Sequence, residues 1–498
     1  MPPAHDPALA VAALLDEGAI KAGSDGSIYY LPHPTGTDPD AWPAPVAVQS
    51  PSFLRVLHRI AGVPPVRRLA RDVLQAVEAA SEGIVHVRSW TWKEADAICY
   101  CVAPSYVVRL GADGVRFVPA VTQTSLAVPP RDFDPIPASE LATALASASP
   151  SHVAAIDAVV GYLPPPGVET TPQATQAVLL LAWWVGLFAD GVAQGRPILG
   201  VCGGKGSGKT VTARLLGKLF FGTSYEVSGG VGGGRAVKDL VAGLATRPLH
   251  VADDQNDVPR EIIDTLCRIA TGTRIELATM HETLALSTFS ARSNAVITSN
   301  RPAWALRDDL LDRMIPLIFR RADTETSWTE QDRADRVTAR RVQAFADVFA
   351  SVVATIADDR RWSPVTRFAD WETFVRRCAD VGGWGGALHD ALLRLAPARV
   401  ALACWADPFV AALWSIADEL REQPRWLTAA ELYDAVILRL GGIVSSASAE
   451  RPSGRALSNA KALGRFLGDI ERSGSTVVDI VRGPTVQGAA TWCLLPKA

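Results

Sequence analysis

The chain has 498 residues, 48% hydrophobic and 20% charged, with a formal net charge of −3. That length holds about three or four domains, and the composition excludes a disordered chain and one drawn to nucleic acid by global charge. The seven cysteines, from Cys99 and Cys101 to Cys493, show no metal-ligand spacing; with no signal peptide evident, the expectation is a protein of the reducing cytoplasm.

Residues 1–165 read as an α+β domain. Strands are expected at Ser27–Leu31 and Ile84–Arg88, with a hairpin of Tyr106–Leu110 and Val115–Val118 around Gly111-Ala112-Asp113-Gly114. Helices are expected over Ser52–Ala61 and Val66–Ala80. The prolines at 129, 130, 135 and 137, and then Pro164-Pro165-Pro166, mark a connecting segment. No catalytic constellation is visible here. The apolar run Ala177–Phe188 covers about 12 residues, short of the roughly 20 that a spanning helix needs. Asp190 and Gln194 follow it, so a buried core helix is expected rather than a membrane span.

Residues 166–322 hold the chemistry. Gly203-Gly204-Lys205-Gly206-Ser207-Gly208-Lys209-Thr210 fits the pattern G-x-x-x-x-G-K-[ST]. An apolar run, Pro197–Cys202, precedes it as a buried strand. Val211, Leu215, Leu216 and Leu219 follow at helical spacing. Glycines let backbone N–H groups curl around a polyphosphate, and the helix N-terminus adds partial positive charge. Lys209 can reach the β- and γ-phosphates, and the Thr210 hydroxyl can ligate Mg²⁺. Gly203 through Val211 are therefore the expected ATP contacts, against the alternative of a chance glycine turn.

A second acid must complete such a metal site. Pro248–Ala252 is a short apolar strand ending in Asp253 and Asp254. Asp253 would hold Mg²⁺ and Asp254 would polarise the attacking water. The alternative is a strand followed by an acidic turn through Asp257. A third apolar strand, Asn294–Ser299, ends in Asn300, whose amide can sense a γ-phosphate or simply close a turn. Arg313 precedes a fourth apolar strand. In a ring it could reach a neighbour's γ-phosphate; alternatively it pairs with Asp309 or Asp312, and Arg301 is the second candidate for the finger.

Glycine loop, double-acid strand, Asn300 and Arg313, in this order, resemble an AAA+ ATPase of the superfamily 3 helicase type. Asp253-Asp254 leading to Asp264-Thr265-Leu266-Cys267-Arg268-Ile269-Ala270-Thr271-Gly272 is similar to ATPases of phages, plasmids and integrative elements. The resemblance implies a homo-oligomeric ring, usually a hexamer, that hydrolyses ATP with Mg²⁺ and moves along single-stranded or forked DNA. The primase-polymerase domain fused to many relatives has no counterpart, since no paired-acid motif precedes residue 170. The family also places a pore hairpin before the Asn strand. Here Arg274–Ala278 and Thr283–Ser287 flank Thr279-Met280-His281-Glu282, making Arg274 and His281 the candidates for DNA contact. Relatives often carry Lys at that tip, whereas this chain has His281 beside Glu282. Gly229–Gly234 with Arg235 and Lys238 is a second candidate, suited to a phosphate backbone or to a plain mobile loop.

Residues 323–420 read as helical. Residues 421–498 open with Thr428 as N-cap and Glu431 three later, then a helix over Ala456–Ile470 and strands at Thr476–Val481 and Ala490–Leu495. Helices followed by a two-stranded wing suggest a winged-helix-like domain, which serves in DNA and protein contacts alike. The expected fold is thus an α/β P-loop core of AAA+ type with an α+β N-terminal domain, a helical segment and a winged-helix-like C-terminus. The expected function is an ATP-driven DNA translocase or helicase of a mobile element, with no membrane partner. The rival is a regulatory AAA+ switch for defence or assembly, acting on a protein. A nucleotide kinase comes third, for want of an acceptor site or lid arginines.

Overall fold

Apolar runs bounded by turn residues build a mixed α/β protein with parallel and antiparallel sheets. The computed structural model describes all residues except 1–6, 24–26, 35, 64–69, 82–83, 95, 121–124, 131, 161–162, 165, 168–171, 228–239, 241–242, 245–246, 257, 279–285, 291–292, 322–328, 441–458, 474–476, 487–488 and 497–498.

Near the N-terminus, three helices (Pro7–Glu17, Pro51–Ala61, Arg71–Ala79) and the strands Gly18–Gly23 and Ile28–Pro32 enclose a small core on Leu14, Tyr30, Phe53, Leu57 and Val77. The Pro51 helix begins one residue before the expected Ser52. The Ser50 hydroxyl accepts the Phe53 N–H, Pro51 occupies the first turn, and Gly62 at φ 69° ends it. The expected hairpin forms from Tyr106–Gly111 and Gly114–Pro119 around Ala112-Asp113, within a four-stranded antiparallel sheet.

A second sheet is wholly parallel. Its order is Leu249–Ala252, Asn294–Ser299, Ile198–Gly203, Met314–Phe319, and every residue of the four strands is buried. Burial on both faces explains why these strands read as continuous apolar runs rather than alternating ones. The helix Lys209–Phe221 leaves the carboxyl end of the Ile198 strand and packs beside it. Arg274–Ala278 and Leu286–Ser290 pair antiparallel as a separate ribbon.

The helix Gln173–Gly186 continues through a 3₁₀ turn to Gly191. Together they are long and apolar enough to cross a membrane, yet that window is 72% buried inside the protein. Trp183, Trp184 and Phe188 anchor it in the core. The 26-residue helix Glu330–Thr355, started by a Thr329–Asp332 capping box, lies against Lys209–Phe221. The C-terminal residues form the helices Ala429–Arg439 and Ala460–Ser473. A three-stranded antiparallel sheet accompanies them, in which Val478–Val486 runs five residues past the expected Val481 end. Thr428 and Glu431 make the anticipated capping box.

One apolar cluster includes buried residues from Trp90 to Leu494. At its centre, edge-to-face contacts join Trp90 to Phe220 (4.6 Å) and Phe188 to Phe345 (5.3 Å). Arg341 is buried beside these rings. Its guanidinium donates to the carbonyls of Phe220 (3.1 Å) and Asp134 (2.8 Å) and lies 4.6 Å from the Phe133 ring centre. Burial pulls its pKa down to about 10. Replacing Arg341 with Met keeps the bulk but strands both carbonyls. The expected cost is about 2–4 kcal/mol, to be read from the urea midpoint and slope.

Candidate functional site

Parallel strands bring their carboxyl ends to one side of the sheet, where ligands of such sheets bind. The register is explicit: Gly203 pairs with Phe319, Cys202 with Ser299, and Ala252 with Ile297. Residues 204–208, Asp253-Asp254, Asn300 and Arg320-Arg321 therefore leave the sheet side by side.

The glycine loop owes its path to two backbone conformations that side chains resist. Gly206 (φ 77°) and Gly208 (φ 85°) lie in the left-handed region. A Cβ on Gly208 would also stand 2.9 Å from the Pro164 ring, and one on Gly203 would stand 2.3 Å from the Phe319 carbonyl oxygen. Pro164 thus lies against the loop, and the Gly167 N–H donates to the Ile318 carbonyl at 2.6 Å. Lys209 Nζ folds back to the Gly204 carbonyl at 2.9 Å. Burial lowers the Lys209 pKa, opposed by the charge of Cys202, Asp253 and Asp254. A polyphosphate would give this ammonium the anionic partner that burial denies it.

Asp253 meets two hydroxyls. Its Oδ1 accepts from Thr210 Oγ1 at 3.0 Å and, more closely, from the Thr298 hydroxyl. The Asp254 N–H in turn donates to Thr298 Oγ1 at 3.0 Å. Asp254 adopts φ 53°, and its carboxylate accepts from Asn256 Nδ2 at 2.8 Å. Asn256 Oδ1 gathers Asn300 N–H (2.9 Å), Ser299 Oγ (2.9 Å) and Arg301 N–H (3.2 Å). Gln255 locks the same turn: its N–H donates to the Thr298 carbonyl and its amide to the Asp253 carbonyl, both at 2.7 Å. The Asn300 carboxamide has no protein partner among the described residues.

The donor set suits a hard, small cation. Thr210 and Asp253 offer oxygen only, and no group of three or more His, Cys, Asp or Glu side chains gathers among the described residues. Mg²⁺ is usually held by one or two protein oxygens, with phosphate and water completing its shell. The seven cysteines are all free, six of them buried; burial pushes the Cys99 thiol up to about 12, unsuited to a nucleophile.

Arg313 lies elsewhere. The Ile198 N–H donates to its carbonyl at 2.9 Å, so it sits at the amino end of the sheet. Six strand residues separate it from the loop, about 20 Å at roughly 3.3 Å per residue. The salt bridges to Asp309 and Asp312, anticipated as the alternative, are not formed. Arg307 takes the Asp309 carboxylate (3.1 Å), Arg367 and Arg399 take Asp312 (3.0 and 3.3 Å), and Arg313 donates to the Asp309 backbone carbonyl. Arg274 begins one strand of the ribbon, while His281, Arg235 and Lys238 lie outside the described residues. Thr298, Gln255 and Asn256 escape a sequence reading. The one signal for Thr298 is a hydroxyl at the penultimate position of an apolar strand, beside Ser299.

No protein-family model and no curated protein matches this sequence. Among solved structures, an A-form apo structure of the NrS-1 C-terminal region is 12% identical, covering 99% of this chain and 100% of that one, with a TM-score of 0.40. The SCCmec type IV Cch active helicase is 12% identical, covering 96% of this chain and 93% of that one, with a TM-score of 0.42. At these scores neither likeness assigns an activity, and function rests on the chain's own residues.

Thr298→Val keeps the side-chain shape and the apolar strand but releases the Asp253 carboxylate. Mg²⁺-dependent binding of a fluorescent ATP analogue is expected to weaken about tenfold with the melting temperature little changed; equal Mg²⁺ titrations would show Thr298 to be packing alone.

Proposed function

We propose that this chain is an ATP-hydrolysing, ring-forming DNA translocase or helicase of a mobile genetic element, acting in the cytoplasm. Its core would be the AAA+ P-loop domain of the superfamily 3 type over residues 166–322, following an α+β domain (1–165) and preceding a helical domain (323–420) and a winged-helix-like domain (421–498). The observation that carries this is the convergence of Lys209, Thr210 and Asp253 at the carboxyl ends of parallel strands, with the Asn300 strand between the loop strand and the acid strand.

In this reading the N–H groups of Gly203–Val211 cradle the phosphates, Lys209 reaches the β- and γ-phosphates, and Thr210 and Asp253 hold Mg²⁺. The bound cation offsets charge on the phosphate oxygens. Asp254 turns from Asn256 to orient the attacking water, and Asn300 offers its free carboxamide to the γ-phosphate. Arg313, too far for its own chain's nucleotide, serves the site of the next subunit. The ribbon carrying Arg274 and His281, together with the segment of Arg235 and Lys238, would contact the strand in the pore. A regulatory ATPase switch acting on a protein is the second reading, favoured by the His281-Glu282 pair at the ribbon tip and the net charge of −3.

The decisive measurement is ATP hydrolysis with and without single-stranded DNA, together with unwinding of a forked duplex. Stimulation that fades with salt is expected; hydrolysis indifferent to DNA, with no binding at low salt, would leave the switch reading. Lys209→Ala should abolish turnover under both readings. Mixing Arg313→Ala subunits with Asp253→Ala subunits should restore part of the activity, because hybrid interfaces recover one complete site.

A further inference from the structure

The glycine loop has two flanks, and only one has been given chemistry. On the side of the Asn294 and Leu249 strands lie Thr298, Asp253 and Asp254, the flank suited to a cation. The other flank is set by the Met314–Phe319 strand, the opposite neighbour of the loop strand. Since Phe319 pairs with Gly203, the chain two residues later stands level with the loop itself. Arg321 occupies that position, exposed to solvent.

Its guanidinium approaches the loop closely. A Cβ built on Gly206 would meet Arg321 Nε at 3.9 Å and Arg321 Cδ at 4.0 Å, with no other atom within 4 Å. Gly206 is one of the loop glycines held at positive φ. Among the described residues Arg321 makes no hydrogen bond or ion pair. The site's two acids lie on the opposite flank and are engaged there: Asp253 by Thr210 and Thr298, Asp254 by Asn256. An exposed guanidinium beside a glycine loop that opens a helix fits a group with several anionic oxygens, which arginine holds through two parallel N–H donors.

We propose that Arg321 is a ligand of the nucleotide's polyphosphate in its own subunit, closing the flank opposite the Asp253 metal flank. This rests on the reading of Gly203–Thr210 as a triphosphate site. It gives the two arginines different addresses: Arg321 serves its own chain's loop, and Arg313 serves its neighbour's.

The test uses the full chain, titrated with AMP-PNP and ADP. Arg321→Ala should weaken AMP-PNP binding by about 10- to 100-fold, the range of a charge-assisted hydrogen bond, with an unchanged melting temperature. Arg321→Lys, which keeps the charge without the fork, should recover part of the loss. Mixing Arg321→Ala with Asp253→Ala subunits should restore no hydrolysis, because every site then lacks one of its own two residues. Unchanged affinity in Arg321→Ala, an equal loss in both variants, or rescue on mixing would each overturn the assignment. Wild-type protein that binds neither nucleotide would instead overturn the triphosphate reading, and this proposal with it.

Discussion

A parallel sheet has a direction, and the chemistry of this chain depends on it. Four strands buried on both faces cannot carry polar side chains along their length without leaving them unsatisfied. Apart from His250, polar groups gather towards the ends, and because the strands run the same way the ends of one kind meet in one place. Ser299, Thr298 and Asn294 are the polar residues within the Asn294 strand, and each is hydrogen-bonded. Glycine loop, double acid and Asn300 come together because they share a position relative to their strands, although the acids lie more than forty residues beyond the loop.

Within that edge, Thr298 does what no motif announces. Its hydroxyl donates to Asp253 and accepts from the Asp254 N–H, so one side chain sets the direction of both acids. The tight turn that follows holds Asp254 at a positive φ, a conformation that Asp tolerates better than most residues. Gln255 and Asn256 fasten that turn to the neighbouring strand. The Asp253 carboxylate is thereby pre-positioned by neutral donors before a cation arrives.

Local features were legible in the sequence. The Gly203–Thr210 loop lies between a strand and a helix as its flanking periodicity required, the Ala112-Asp113 hairpin forms, and the capping signal at Thr428 marks a helix start. These are decided within a few residues by φ preferences and capping bonds. What was not legible depends on strand order and register. Which strand separates the loop from the acids, the hydroxyl that Asp253 meets, and the distance of Arg313 from its own loop are all fixed by pairing between distant segments. The proline-rich stretch adds a contact of the same long-range kind. It reads as a connector; in the structure Asp134 within it also accepts from Thr223 and Ser224 just past the loop helix.

Those contacts bear on how the site communicates with the rest of the chain. The loop helix begins at Lys209 and ends at Phe221, with Gly222 following. At its far end, Arg341 binds the Phe220 carbonyl and the Asp134 carbonyl together, and Asp134 grips the Thr223 backbone. One end of a rigid rod is therefore at the candidate phosphate site, and the other is clamped to the long Glu330–Thr355 helix and to the Trp90–Phe133 region. A close-packed aromatic cluster transmits displacement rather than absorbing it. A shift of the loop on binding or release of a polyphosphate would pass along the helix axis into both neighbouring regions. The buried guanidinium is the joint, and it resists sliding because any displacement strands two carbonyls and an unpaired charge in the core.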